Sequence, residues 1–260
     1  MPLITAALVP NLSLLAPGVT KDSLLTYTQT LSAYQELADS LQKQKVETIV
    51  IMSNRGLSPE LGMAINVQPK FNINFEEFGD FATKLVVDND FALVDHLQNN
   101  LSQGPLSMLS LDPLDYGSAV PMVYFLQSNP KLKVVPIYPS NQSLYKQSEL
   151  GASLGQILHS SSERVALIAS VNLSSRLASS PLGYLPKAKG YDKKIINGLE
   201  THDYRFLYGL EPEEISTYYE QGLAPLAMLA GAITRFKKTV KTLSYEHPQG
   251  LGAALLEVKF

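Results

Sequence analysis

Leu3-Ile-Thr-Ala-Ala-Leu-Val9, closed by Pro10-Asn11, and Val46-Glu-Thr-Ile-Val-Ile-Met52, closed by Ser53-Asn54, decide the fold. Each is a short apolar run ended by turn-forming residues, the pattern of a strand buried on both faces. Between them Leu24, Leu25, Leu31, Tyr34, Leu37, Ala38 and Leu41 return at helical spacing, and Thr20 or Asp22 can cap a helix running to about Gln42. Strand, helix, strand through a right-handed crossover predicts two parallel strands lying side by side.

The alternation continues outward from this opening. Strands are expected at 61–67 and 71–75, then a helix capped by Asp88 or Asp90 and ending at Leu101. Further strands are expected at 106–111, 132–138 and 164–170, with helices at 118–127 and 144–159. Helix signals then dominate, at 192–200, 213–220 and 223–236, before 240–246 and 253–258 close the chain as a hairpin around Pro248-Gln-Gly250. No composition shift, linker or repeat divides the sequence. The expectation is a single α/β domain over residues 1–260, with a mostly parallel central sheet and helices on both faces. The polar stretch 178–190 reads as a surface loop that can overhang a cleft.

Composition narrows the function classes. Lys and Arg total 21 against 24 Asp and Glu, for a net charge of −3, so nucleic acid is not an expected partner. Hydrophobic residues make up 45% and charged residues 17% of the 260, enough apolar surface for a core and too little charge for disorder. Cysteine is absent, which removes disulfides, thiolate nucleophiles and Cys-based metal sites, and suits a reducing cytoplasm. The N-terminal run has no preceding basic residue and meets Pro10 early, so export is not expected. The most apolar later stretch, 223–233, contains Pro225 and is about half of a bilayer span, so no membrane association is expected.

In open α/β sheets ligands gather beyond the carboxyl ends of the strands. Five segments occupy such places: Pro10-Asn11, Ser53-Asn-Arg-Gly56, Asp115-Tyr-Gly117, Ser170-Val-Asn-Leu-Ser-Ser-Arg176 and Ser244-Tyr-Glu-His-Pro248. In this order they resemble the class III extradiol ring-cleavage dioxygenases, the catalytic-subunit fold shared by Memo-type proteins. Val9-Pro-Asn-Leu-Ser-Leu-Leu-Ala-Pro17 is similar to the family's opening proline and histidine. Met52-Ser-Asn-Arg-Gly56 is similar to its Ser-Pro-His-Gly strand end, and Asp115-Tyr-Gly-Ser-Ala-Val-Pro-Met122 to its Asp-His-Gly element. Ala169-Ser-Val-Asn-Leu-Ser-Ser-Arg-Leu177 is similar to its Ser-Gly-Asp-Leu-Ser-His segment, and Leu243-Ser-Tyr-Glu-His-Pro-Gln-Gly250 to a C-terminal element of its prokaryotic branch.

The resemblance implies a non-haem Fe(II) or zinc site and an acid/base histidine, yet every motif histidine is replaced. Asn11 and Asn54 stand at the ligand positions, Tyr116 replaces the Asp-His-Gly histidine, and Asn172 and Ser175 replace the aspartate and histidine of the fourth segment. An imidazole donates a strong lone pair to a divalent transition metal, whereas an Asn amide offers a weak neutral oxygen. The reading is therefore a non-catalytic relative, with no cofactor, that keeps a polar cleft for a small ligand or acts as a scaffold. Asn11, Asn54, Arg55, Tyr116, Asn172, Ser175 and Glu246 would line that cleft. The alternatives are an oxidoreductase with an atypical site for weakly bound Fe(II) or another divalent cation, or a metal-free hydrolase or lyase using Tyr116 or Glu246. Asn11, Asn54, Asn172 and Glu246 could also offer oxygens to magnesium or calcium, but with a single carboxylate.

Each residue also has a plainer structural reading. Asn after a strand is a common turn former, and the Tyr116 ring can fill the space a histidine left. Ser175 lacks a nucleophile elbow. Arg55 and Arg176 together could clamp a carboxylate or phosphate, though most arginines are solvated. Glu246 and His247, adjacent on a strand, should point to opposite faces. His96 falls within a helix, His159 near a helix end and His202 beside Asp203, and none restores the site. Gly151-Ala-Ser-Leu-Gly155 lies in a helical pattern, not a phosphate loop, and Lys237-Lys238 suits a helix C-terminus. The aromatic stretch from Phe71 to Phe81 reads as core or as an interface in a homo- or hetero-oligomer.

Overall fold

The computed structural model describes residues 2–19, 26–101 and 104–260. The chain opens with β1 (Leu3–Val9), α1 (Thr28–Lys43), β2 (Thr48–Ser53) and β3 (Met63–Asn66). A ribbon of β4 (Lys70–Phe75) and β5 (Asp80–Asp88) follows, then α2 (Phe91–Asn100), β6 (Leu106–Leu109), α3 (Tyr116–Ser128) and β7 (Lys133–Pro139). The second half runs α4 (Leu144–Ser160), β8 (Val165–Ser170), α5 (Ala188–Thr201), α6 (Arg205–Tyr208), α7 (Pro212–Tyr218) and α8 (Ala224–Ile233). It ends in β9 (Thr239–Glu246) and β10 (Ala253–Lys259).

Eight strands form one sheet in the order β6-β3-β7-β2-β8-β1-β10-β9. Its centre, β7-β2-β8-β1, is parallel throughout, and β6 is parallel to β3. Every residue of β2 and β8 is buried, because helices cover both faces and no solvent side remains to carry polar alternation. On one face α2, α4, α5 and α8 pack around Leu154, Leu158, Leu226 and Met228. On the other, α1 and α3 bring Tyr34, Leu37 and Phe125 against Ile49, Ile51 and Ile168. This is the anticipated α/β architecture, closed by the anticipated antiparallel β9–β10 hairpin.

The first crossover departs from expectation. β1 and β2 are parallel but not neighbours, since β8 lies between them, with Ala169 opposite both Leu8 and Met52. Local sequence sets the sense and hand of a crossover, not how many strand places it skips. Val165-Ala-Leu-Ile-Ala-Ser170 arrives late in the chain and takes the central place, where two neighbours satisfy its backbone on both sides.

Of the two expected caps for α2, Asp90 fills the role, accepting from Leu93 N at 3.3 Å. α1 begins at Thr28, and the expected caps Thr20 and Asp22, with Leu24 and Leu25, lie outside the described residues. β5 is an addition to the expected elements: its side chains are mostly exposed, and its apolar residues are confined to Phe81-Ala82 and Leu85-Val-Val87 with polar residues between them. Gly151 and Gly155 lie in α4, as the helical pattern requires. A Cβ on Gly151 would collide with the Met228 carbonyl, so the glycines let α4 and α8 approach backbone to backbone. Among the described residues no helix is long and apolar enough to cross a membrane.

Candidate functional site

Because β1, β8 and β2 are adjacent and parallel, Asn11, Asn172 and Asn54 emerge along one edge of the sheet. Asn11 is fully buried. Its backbone N–H donates to Asn172 Oδ1 at 2.7 Å, and its own Nδ2 donates to the Ser170 carbonyl at 2.9 Å. The two asparagines are therefore bonded to one another and to the backbone. Asn11 Oδ1 and Asn172 Nδ2 are buried and have no protein partner. The space beside them, lined by Leu12, Asn172, Ser175, Glu220, Gln221 and Leu251, is about 50 Å³. That admits a few waters but is far below the roughly 300 Å³ at which ligand clefts begin.

The segment leading from α7 to α8 crosses these strand ends. Asn54 Nδ2 donates to the Gln221 carbonyl at 2.5 Å, which ties the end of β2 to it. Ser175 N donates to the Tyr218 carbonyl at 2.9 Å and Arg176 Nε to the Thr217 carbonyl at 3.1 Å, which fasten it to the loop after β8. Arg176 also donates to the Leu182 carbonyl, so its guanidinium ties α7 to the loop around Leu182, whereas Arg55 faces Tyr116.

Arg55 takes a different place. Its Cζ lies 4.9 Å from the centre of the Tyr116 ring, which meets Phe78 edge-on at 5.0 Å. Ser53 Oγ donates to Asp115 Oδ1 at 2.7 Å, and the same oxygen accepts from Ser118 N at 3.0 Å, so Asp115 caps α3. Pro121 lacks the N–H that would bond Gly117, and that carbonyl accepts from Ser170 Oγ, joining α3 to the end of β8. Burial pushes the Arg55 guanidinium below and the Tyr116 phenol above their ordinary ranges, with the nearby Arg55 charge opposing the latter shift. Tyr116 thus packs as an aromatic wall beside a cation.

Glu246, expected to line the same cleft, stands apart from this group. It lies at the end of β9, an edge strand of the sheet, and its Oε1 accepts from Thr30 N at 2.7 Å in the first turn of α1. His247 packs against Tyr245, with ring centres 5.7 Å apart.

Two features escape the sequence reading. One is a cleft of about 500 Å³ on the far side of Asn54, lined by Ser140, Gln142, Ser216, Glu220 and Gln221 together with apolar Ile215 and Leu223. The strand-end rule, applied to β7, would flag Ser140-Asn-Gln-Ser143. The other is Asp192 of α5, fully buried, which accepts from Ser174 N at 3.0 Å and from Tyr245 OH at 2.9 Å. Burial pushes its carboxyl up to about 7. Asp192 holds the loop that carries Asn172 and Ser175, and no local pattern distinguishes it from an exposed helix aspartate.

The donor set does not fit a redox metal. At the resembled positions Asn11, Asn172 and Asn54 offer neutral amide oxygens in place of imidazoles, Asn172 Oδ1 already accepts from Asn11 N, and the Glu246 carboxylate is bonded to α1. Among the described residues no three His, Cys, Asp or Glu side chains are grouped to share a metal ion.

A parallel-centred sheet between two helical layers, with polar strand ends along one edge, defines a three-layer α/β protein. The chain belongs to the family described as the catalytic LigB subunit of aromatic ring-opening dioxygenase, which matches residues 9–256. It is 21% identical to Protein CA_C1420 of Clostridium acetobutylicum over 97% of this chain and 56% of that protein, so it spans about half the length of this curated relative. Its fold is similar to that of an uncharacterized protein, JW3007, from Escherichia coli K12. The TM-score is 0.69 at 16% identity, covering 98% of this chain and 99% of the other.

Proposed function

We propose that this chain is a non-catalytic member of the ring-opening dioxygenase family that binds a small polar molecule at the carboxyl edge of its sheet. One observation carries the reading: the N–H of Asn11 bonds the side chain of Asn172, so two positions resembling the family's catalytic set are engaged with each other. Neutral amide oxygens compete poorly for Fe(II), and a metal held weakly cannot present substrate and dioxygen to each other. The cleft beyond Asn54 offers hydroxyls, amides and one carboxylate, Glu220, which suits a neutral or cationic ligand rich in hydrogen-bonding groups. A cytoplasmic setting accords with the lack of cysteine.

The test is anaerobic loading with Fe(II), desalting and elemental analysis, followed by oxygen uptake with a panel of catechols. The expected result is iron well below one per chain and uptake indistinguishable from the blank. One retained iron per chain with catechol-dependent uptake would establish an active dioxygenase instead.

A second reading, as a subunit of an assembly, rests on β5. Phe71 and Phe75 are core residues, but Phe81 is 69% and Val86 59% exposed. Mass in solution by light scattering tests it, and a monomer at all concentrations rejects self-association.

A further inference from the structure

At the opposite edge of the sheet, the ends of α4, α8 and β10 enclose a second cleft of about 500 Å³. Its floor is aromatic. The His159 ring lies 4.7 Å from Phe236, which meets Phe260 edge-on at 5.6 Å. Its rim is cationic, formed by Arg235, Lys237, Lys238 and Lys259, and no Asp or Glu side chain lines it. Lys259 pairs with Glu257 at 3.1 Å. Among the described residues Arg235, Lys237 and Lys238 have no ion pair, and Lys238 only donates to the Phe236 carbonyl at 3.3 Å.

Gathering unpaired cations around an apolar floor is unfavourable through mutual repulsion unless an anion offsets it. Helix dipoles account for part of the cluster: His159 lies in the last turn of α4. α8 ends at Ile233, however, and the dipole fades within the final turn, which leaves Lys237 and Lys238 without that explanation.

We propose that this cleft binds a small amphiphilic anion, a carboxylate or phosphate ester bearing an aryl or short alkyl body. The head sits among Arg235, Lys237 and Lys238, where charge-assisted hydrogen bonds orient it. The body covers Phe236 and Phe260, which are half-buried and packed on the core. The volume lies within the range of small-molecule sites. This site shares no lining residue with the cleft beside Asn54, so the two proposals stand or fall separately.

The probe is 1-anilinonaphthalene-8-sulfonate, followed by fluorescence at physiological salt and displaced by octyl phosphate or by inorganic phosphate. Octyl phosphate is expected to displace the probe and inorganic phosphate, the head alone, to leave it bound. The doubly substituted R235E/K237E chain, altered at two exposed positions, is expected to bind octyl phosphate about tenfold more weakly with an unchanged melting temperature. Equal displacement by inorganic phosphate, or unchanged affinity in the variant, overturns the proposal. Sedimentation with phosphatidylglycerol vesicles separates a free anion from a lipid surface. No co-sedimentation is expected, and co-sedimentation lost in R235E/K237E would replace the proposal with a membrane-docking face.

Discussion

Asn11 and Asn172 meet across two adjacent parallel strands, the backbone N–H of the first 2.7 Å from the side-chain oxygen of the second. Both residues are buried, so this bond satisfies a backbone donor that bulk solvent does not reach. The bond couples the ends of β1 and β8.

Asn172→Ala removes the acceptor and leaves the Asn11 N–H buried without a partner. An unsatisfied buried donor costs about 1–3 kcal/mol. The expected outcome is a melting temperature lowered by several degrees, measured by thermal denaturation. An unchanged value would show that the contact does not contribute to the fold.

Asp192 makes stability depend on pH. Its carboxyl is raised to about 7 in the folded chain, from an ordinary value of 3.8. The folded state thus holds the proton more tightly, and the associated stability is fully present below about pH 4 and lost as pH rises through 7. Unfolding free energy from this group is expected to fall by on the order of a few kcal/mol between about pH 4 and pH 8. Asp192→Asn should flatten that segment of the curve, as denaturant titrations at several pH values can read.

Asp115 serves two partners at once, the Ser53 hydroxyl and the first turn of α3. Asp115→Ala is expected to cost about 1–2 kcal/mol, the usual value of an N-cap. Asp115→Asn, which keeps an acceptor, should recover most of it. Failure of that rescue would indicate that the charge, which acts on Arg55, matters more than the cap.

Glu246 is predicted to act on stability and not on ligand binding. Glu246→Ala removes the acceptor at Thr30 N and the negative charge at the N-terminus of α1, worth about 1 kcal/mol together. Iron retention and ligand affinity at the cleft beside Asn54 should be unchanged. A lost affinity would bring Glu246 back into the site.

The sheet centre was legible because strands covered on both faces must be continuously apolar, and the short runs at 3–9, 46–52 and 164–170 fit that requirement. Of the separate two-stranded ribbon, the strand expected at 71–75 is present as β4, but β5 was not legible, since it keeps only scattered buried positions and its pairing with β4 depends on the surface it lies against. Within the candidate site, the strand-end rule located Asn11, Asn54 and Asn172 along one edge. It also points to Glu246 and Arg176 for the same cleft, and their side chains turn to α1 and to the neighbouring loops. Side-chain direction at a strand end depends on the elements packed above it, which local spacing does not specify.

By itself the sequence determined the α/β class, the buried parallel centre and the presence of amides where the resembled family carries imidazoles at successive strand ends. Those follow from side-chain chemistry and short-range periodicity. Only the tertiary structure decided that β8 separates β1 from β2, that Asn11 bonds Asn172, and that Asp192 lies buried beneath the loop after β8. Each of these joins residues far apart in the chain, and the free energy of such contacts exists only once packing has excluded water from between them.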